Sequence, residues 1–293
     1  MSQRRASGEP LQYVIGSWGF RQLDLAVDSR ALIPRPETEV AAGFGIGVLH
    51  QMSDSAQSGL LVADLGTGSG AIALSIAQEV PQARVCATDI SEEALALARS
   101  NLAGLGTDAA RVSLHHGDWF AALPTEAFGK LDLLISNPPY ISPDEDLPKV
   151  VKDWEPETAL IGGKDGFVYL DTLVQQGRNW LRPGGWLVLE CGSNQAQRLC
   201  ELAISRGYDA PKIGHDLSGT QRLVTARRPV DDVDQSDLEV MAPMCCYRAN
   251  PRPAAMSSSV SFRITRTAED LAQAITALSQ RLIKLEERQE ALE

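Results

Sequence analysis

No apolar run in this 293-residue sequence approaches the roughly 18 residues that a membrane-spanning helix needs. Met1-Ser2-Gln3-Arg4-Arg5 is not followed by the apolar segment that a secretion signal carries. The expected compartment is therefore the cytoplasm, with no membrane partner. Cysteine is scarce as well: Cys86, Cys191, Cys200, Cys245 and Cys246 are odd in number and lack Cys-x-x-Cys or Cys/His spacing. Neither a disulfide framework nor a zinc site follows from them, so free thiols are expected. His50, His115, His116 and His215 have no ligand spacing, and no metal is expected. Basic charge is in deficit, with 27 Lys and Arg against 38 Asp and Glu. Proteins that wrap nucleic acid rely on Lys and Arg to neutralise phosphates, so direct nucleic-acid binding is not expected.

What is present is an ordinary globular composition, 44% hydrophobic and 22% charged. Between about Leu60 and Ala226, short apolar runs alternate with helical stretches, which predicts an α/β domain with a mostly parallel sheet. Strands are predicted at Leu60–Ala63, Val85–Thr88, Val112–Leu114, Leu131–Ile135, Trp186–Leu189 and Arg222–Thr225. Their continuous apolar character implies cover on both faces. Helices are predicted at Gly70–Gln78, Glu92–Ala103 with Ser91 as its cap, Phe167–Leu181 and Asn194–Ile204. Upstream, Leu11–Val27 predicts a small hairpin, and Pro36-Glu37-Thr38-Glu39 opens a helix toward His50. Downstream, Pro229–Ser259 has little periodic apolar content and predicts a linker. Leu271, Ile275, Leu278, Leu282, Leu285 and Leu292 then follow a 4, 3, 4, 3, 7 spacing, an a/d seam suited to self-association as a coiled coil or to docking on the chain's own domain.

Asp64-Leu65-Gly66-Thr67-Gly68-Ser69-Gly70 closes the first predicted strand of the α/β domain and opens a helix. Glycines there allow a tight turn and close ligand approach, and the compact G-x-G-x-G spacing suits a ligand without phosphates better than the pyrophosphate loop G-x-G-x-x-G. The next strand ends in Asp89, about 20 positions on, where a carboxylate can accept from both hydroxyls of a ribose. The third ends in Gly117-Asp118-Trp119, an acid beside an aromatic that could hold an adenine by hydrogen bond and stacking. In order, these describe an adenosine site at the carboxyl ends of adjacent strands.

Together with Asn137-Pro138-Pro139-Tyr140, these motifs resemble the class I S-adenosylmethionine-dependent methyltransferases. More narrowly, the chain is similar to the N5-glutamine methyltransferases that modify peptide chain release factors. The narrower likeness also rests on Gly8-Glu9-Pro10-Leu11-Gln12-Tyr13, Leu32-Ile33-Pro34-Arg35-Pro36-Glu37-Thr38-Glu39, Trp154-Glu155-Pro156 and Glu190-Cys191-Gly192. It covers about Gly8 to Arg228. The resemblance implies a Rossmann-like fold with a mostly parallel seven-stranded sheet, S-adenosyl-L-methionine as cofactor and a release factor as protein substrate. Asp64, Gly66, Thr67, Gly68, Ser69, Gly70, Asp89, Asp118, Trp119 and Asn137 would face the cofactor. Arg35, Pro36 and Glu37 would line the substrate side with Asn137, Pro138, Pro139 and Tyr140.

The implied domains are residues 1–58 on the substrate side, the methyltransferase domain over 59–228, a linker over 229–265 and an amphipathic helix over 266–293. Members of this family usually carry a helical domain ahead of the catalytic one, and only about ten residues precede the match here, which puts docking and not chemistry in question.

The Asn-Pro-Pro-Tyr corner has a chemical reading of its own. An amide nitrogen is a poor nucleophile because its lone pair is delocalised, so it must be aimed in line with its hydrogens held elsewhere. The Asn137 side-chain carbonyl and the Pro138 backbone carbonyl can accept those two N–H bonds, and Tyr140 can pack on the flat amide. The prolines keep the acceptors fixed. Enzymes that methylate exocyclic amino groups of nucleic-acid bases share this corner, and a ribosomal-protein glutamine is a further alternative acceptor. A cofactor-binding scaffold acting through the heptads is the non-enzymatic alternative.

Overall fold

The computed structural model describes residues 1–53 and 59–230. The predicted linker, the heptad segment, Cys245 and Cys246 lie outside them. In chain order the elements are α1 (Ser2–Ala6), α2 (Leu11–Ile15), β1 (Ser17–Phe20), β2 (Leu23–Ala26), α3 (Pro36–Ser53), β3 (Leu60–Leu65), α4 (Ala71–Glu79), β4 (Ala83–Asp89) and α5 (Glu92–Ala103). They continue with β5 (Val112–His116), β6 (Leu131–Ser136), α6 (Lys149–Trp154), α7 (Val168–Trp180), β7 (Leu181–Glu190), α8 (Ala196–Ser205), β8 (Asp209–His215) and β9 (Gln221–Arg227).

Seven strands form one sheet in the order β5-β4-β3-β6-β7-β9-β8. The first five run parallel, and β9 is antiparallel to both its neighbours. The chain winds outward from β3 to β5, then returns to lay β6 on the other side of β3. The crevice at the carboxyl ends of β3 and β6 is thus the switch point where sheets of this kind bind ligands.

Apolar cover on both faces is what the continuous strand runs require. Val62, Leu133 and Ile135 pack in the core beneath α3 and α4, while Ala63, Leu65, Leu134, Leu187 and Leu189 pack in the opposite core with residues of α7 and α8. Leu131 joins the second core although Leu133 joins the first, because the β6–β7 register shifts between them. Ser91 caps α5 as expected, accepting from the Ala94 amide at 3.1 Å.

Three differences from the sequence reading have physical causes. Residues 11–15 form α2, ending at Gly16 in left-handed conformation, so the hairpin is confined to Ser17–Ala26. Strand β8 has no periodic apolar signal and contains Pro211, which an edge strand tolerates. The loop Gly162-Gly163-Lys164-Asp165-Gly166 has the composition of a flexible connection, yet it is packed against the Asn-Pro-Pro-Tyr corner: Ile141 and Ile161 bridge, and the Gly162 amide donates to Ile141 O at 2.9 Å.

Candidate active site

A cavity of about 270 Å³ opens at the switch point, lined among others by Arg35, Gly66, Thr67, Gly68, Ser69, Asp89, Asp118, Trp119, Asn137 and Pro139. Its first wall is the glycine loop. Gly66, Gly68 and Gly70 all take positive φ, 74°, 57° and 87°, conformations that favour glycine. The loop is tied down from beneath. Asp64 Oδ2 accepts from the Thr67 hydroxyl at 2.6 Å and from the Ala73 amide at 3.1 Å, joining β3 to α4. Asp64 is wholly buried under the loop, and burial pushes its carboxyl up to about 7.

Asp89 lies one strand over, and the loop itself aims it. Gly68 N–H donates to its Oδ2 at 2.8 Å and Ser91 N–H to its Oδ1 at 2.9 Å. A carboxylate has about four lone-pair positions, so each oxygen keeps one for a ligand hydroxyl. Burial raises the Asp89 carboxyl above its ordinary value. Trp119, held at φ 40°, lies across Gly66: a Cβ there would meet the indole at 3.3 Å. Its ring packs 5.3 Å from that of Tyr169, which also lines the cavity. Asp118 sits exposed at the rim. A small loop without bulky side chains, a pinned carboxylate and a flat aromatic wall fit an adenosine moiety.

The second wall is the corner after β6. Asn137 Nδ2 donates to Thr38 Oγ1 at 3.0 Å, and the Thr38 hydroxyl donates to Glu190 Oε2 at 2.7 Å. The Tyr140 hydroxyl reaches the other carboxylate oxygen at 3.3 Å. Glu190 has no exposed surface, and burial, with the Glu37 charge adding to it, pushes its carboxyl up to about 7. Burial and Glu190 raise the Tyr140 phenol as well. Gln195 Nε2 ties Tyr140 O and Gly166 O together at 2.9 and 3.0 Å, which fixes the backbone behind the corner.

Arg35 lines the cavity while its guanidinium pairs with the buried Glu155 at 2.6 Å, and Glu155 also accepts from the Ile33 amide at 3.4 Å. The Pro34-Arg35-Pro36 stretch is thereby fastened to the Trp154-Glu155-Pro156 segment. Pro36 is exposed and Glu37 half-buried on the first turn of α3. Asp64, Gly70, Pro36, Glu37, Pro138 and Tyr140 are not on the cavity surface, whereas the other predicted positions are. Among the described residues no cluster of His, Cys, Asp and Glu could hold a metal ion, and no helix is long and apolar enough to cross a membrane.

A family model described as methyltransferase small domain matches residues 44–154. A release factor glutamine methyltransferase of Xylella fastidiosa is 43% identical over 228 residues, covering 78% of this chain and 79% of that one. That of Moorella thermoacetica is 46% identical, covering 77% of each chain. The chain belongs to the release factor glutamine methyltransferase family. Among solved structures, a methyltransferase from Pyrococcus furiosus aligns with TM-score 0.52 and 20% identity over 78% of this chain and 100% of that one. The hMettl16 catalytic domain, solved with an RNA hairpin, aligns at TM-score 0.54 and 16% identity over 71% and 76%. These two show the fold alone.

Within this family fold, Thr38 and Tyr169 are contacts that the sequence motifs do not single out for the site, and Glu190 enters only as part of Glu190-Cys191-Gly192. Thr38 stands inside the Arg-Pro-Glu-Thr-Glu motif, so its polarity was visible; its partners, far away in sequence, were not.

Proposed function

We propose that the protein transfers a methyl group from S-adenosylmethionine to the side-chain amide nitrogen of the glutamine in the Gly-Gly-Gln motif of a peptide chain release factor. The observation that carries this reading is the Asn137 amide. With Nδ2 engaged by Thr38, Oδ1 is the half left for the cavity that Asn137 lines. An acceptor there would take an N–H of a primary amide and aim its nitrogen at the cofactor end.

In this reading Asp89 would accept from the ribose hydroxyls, Trp119 and Asp118 would hold the adenine, and the loop from Gly66 to Ser69 would admit the cofactor without side-chain obstruction, while Asp64 and Gly70 keep the loop's shape. When bound, the cofactor would supply a methyl group on a sulfonium sulfur, which leaves as a neutral thioether, and the surplus proton of the methylated nitrogen would pass to solvent. Arg35 and Glu155 fasten the entrance, and Pro36, Glu37, Pro139 and Tyr140 shape the approach of the glutamine loop. Residues 59–228 act as the catalytic unit, residues 1–58 complete the substrate side, and 266–293 serve self-association. The compartment is the cytoplasm.

The test incubates the full chain with labelled S-adenosylmethionine and a release factor carrying its Gly-Gly-Gln loop, beside a Gln-to-Ala factor. Label on the first factor alone supports the reading. Label on a ribosomal protein or a nucleic acid instead would replace the acceptor, and cofactor binding without turnover on any of them would favour the scaffold.

A further inference from the structure

We propose that Glu190 and Thr38 are positioning residues that set which end of the Asn137 amide faces the substrate. The inference rests on the methyl-transfer reading and adds to it the device that makes Asn137 an acceptor and not a donor.

An asparagine amide has two ends of nearly equal shape and opposite hydrogen-bonding character. Turned one way it offers the cavity a carbonyl, which takes an N–H from the substrate; turned the other way it offers N–H groups, which repel the same substrate. Nothing in the corner's backbone chooses between them. The chain of side chains behind it does. When ionised, Glu190 only accepts, so its oxygens then receive the hydroxyl hydrogens of Thr38 at 2.7 Å and Tyr140 at 3.3 Å. A hydroxyl has one hydrogen, so Thr38, having spent it on Glu190, can only accept from Asn137. The Asn137 group 3.0 Å away must then be Nδ2. Polarity passes from Glu190 on β7 through Thr38 on α3 to the corner after β6, and Oδ1 is left for the cavity.

The burial is consistent with this task. Glu190 is fully buried and Thr38 only 4% exposed, so water does not compete for either bond. Ionised groups this deep are expensive unless paired or hydrogen-bonded, which makes a strand-terminating glutamate a poor choice for packing alone. The charged or titratable groups facing Glu190 are Glu37 on α3, Tyr140 after β6, Arg222 on β9 and the neighbouring Cys191 thiol.

The experiment compares the full-length wild type with Glu190→Gln, Thr38→Val and Thr38→Ser. Glutamine keeps the shape of Glu190 but brings an N–H₂ that can donate to Thr38 and reverse the chain; valine removes the link; serine preserves it. Expected are kcat values lowered about 10- to 100-fold in Glu190→Gln and Thr38→Val, with S-adenosylmethionine Kd and release-factor KM within about threefold, and Thr38→Ser within about threefold of wild type throughout. Full kcat in both Glu190→Gln and Thr38→Val overturns the proposal, as does an equal loss in Thr38→Ser and Thr38→Val. Should the wild type itself leave the factor unmethylated, the methyl-transfer reading fails instead. The positioning proposal is then decided by the Asn137 Nδ2 amide resonances. They are expected to be exchange-protected in wild type and Thr38→Ser but not in Thr38→Val, and equal protection in all three would overturn it.

Discussion

The two walls of the cavity are held in place by different means. On the cofactor side the supports are shorter in range: Thr67 reaches Asp64 across three positions, Ser91 reaches Asp89 across two and Gly68 reaches Asp89 across 21, with backbone conformation at the glycines adding to them. On the acceptor side they are long-range, with Thr38 and Asn137 separated by 99 positions and Thr38 and Glu190 by 152. A local support can be altered without disturbing its neighbours, whereas a relay assembled from α3, β6 and β7 ties the acceptor's geometry to the packing of the whole sheet. The first wall should therefore respond to mutation in affinity, and the second in turnover.

The largest effect is expected from Asn137→Ala. Removing one preorganised polar group aimed at a reacting centre typically costs about 10²–10³ in kcat. Cofactor affinity, measured by calorimetry, should change by no more than a few fold. A variant that lost affinity and kept turnover would place Asn137 on the other wall.

Gly166→Ala probes the backbone behind the corner. Gly166 has φ 69°, and a Cβ there would run into the Tyr140 carbonyl oxygen. The corner must then move, and displacements of about 1 Å at a reacting group cost about 100-fold in rate. Gly16→Ala is the matched control, since φ is similarly positive at 83° and nothing lies within 4 Å of the added atom. It should cost about 1 kcal/mol of stability, read from urea midpoints, and leave kcat untouched.

Asp89→Asn tests the opposite wall. In the proposed reading Asp89 is a charged acceptor of the ribose hydroxyls, and such bonds are worth about 1.5–3 kcal/mol each, so S-adenosylmethionine affinity should fall by about tenfold or more. At saturating cofactor, turnover should stay near the wild-type value. A drop in kcat with unchanged Kd would erase the contrast between the walls.

This division also explains what the sequence made legible. The glycine spacing, Asp89 and Asp118-Trp119 could be read in order because each stands at the end of its own strand, and strand ends are marked by where apolar runs stop. Asn137 was legible for the same reason, reinforced by two prolines. Strand β8 was not, because an edge strand needs little apolar content, and neither was the clamp of Gly162–Gly166 onto Tyr140, because a glycine-rich stretch looks the same whether it is loose or packed against backbone. Thr38 could not be assigned since a threonine on the first turn of a helix is ordinary, and only Glu190, brought there by β7, gives it a direction.

The remaining expected effect is one of pH, which the two walls share in stability and which activity separates. Asp64 and Glu190 titrate near 7 in the folded protein against 3.8 and 4.5 ordinarily. Over that interval the folded state holds protons that the unfolded state has released, so stability falls as pH rises and levels off above about 7. Asp64→Asn and Glu190→Gln should each flatten the slope of urea-unfolding free energy between pH 5 and pH 7.5. Only the second should also change activity, because protonating Glu190 turns its acceptor oxygen into a donor toward Thr38 and undoes the polarity that Asn137 depends on. In wild type, kcat should therefore decline as pH drops through about 7, Asp64→Asn should keep that decline, and Glu190→Gln should be slow and nearly flat. A decline surviving in Glu190→Gln would assign it to another group facing the corner, Glu37 first.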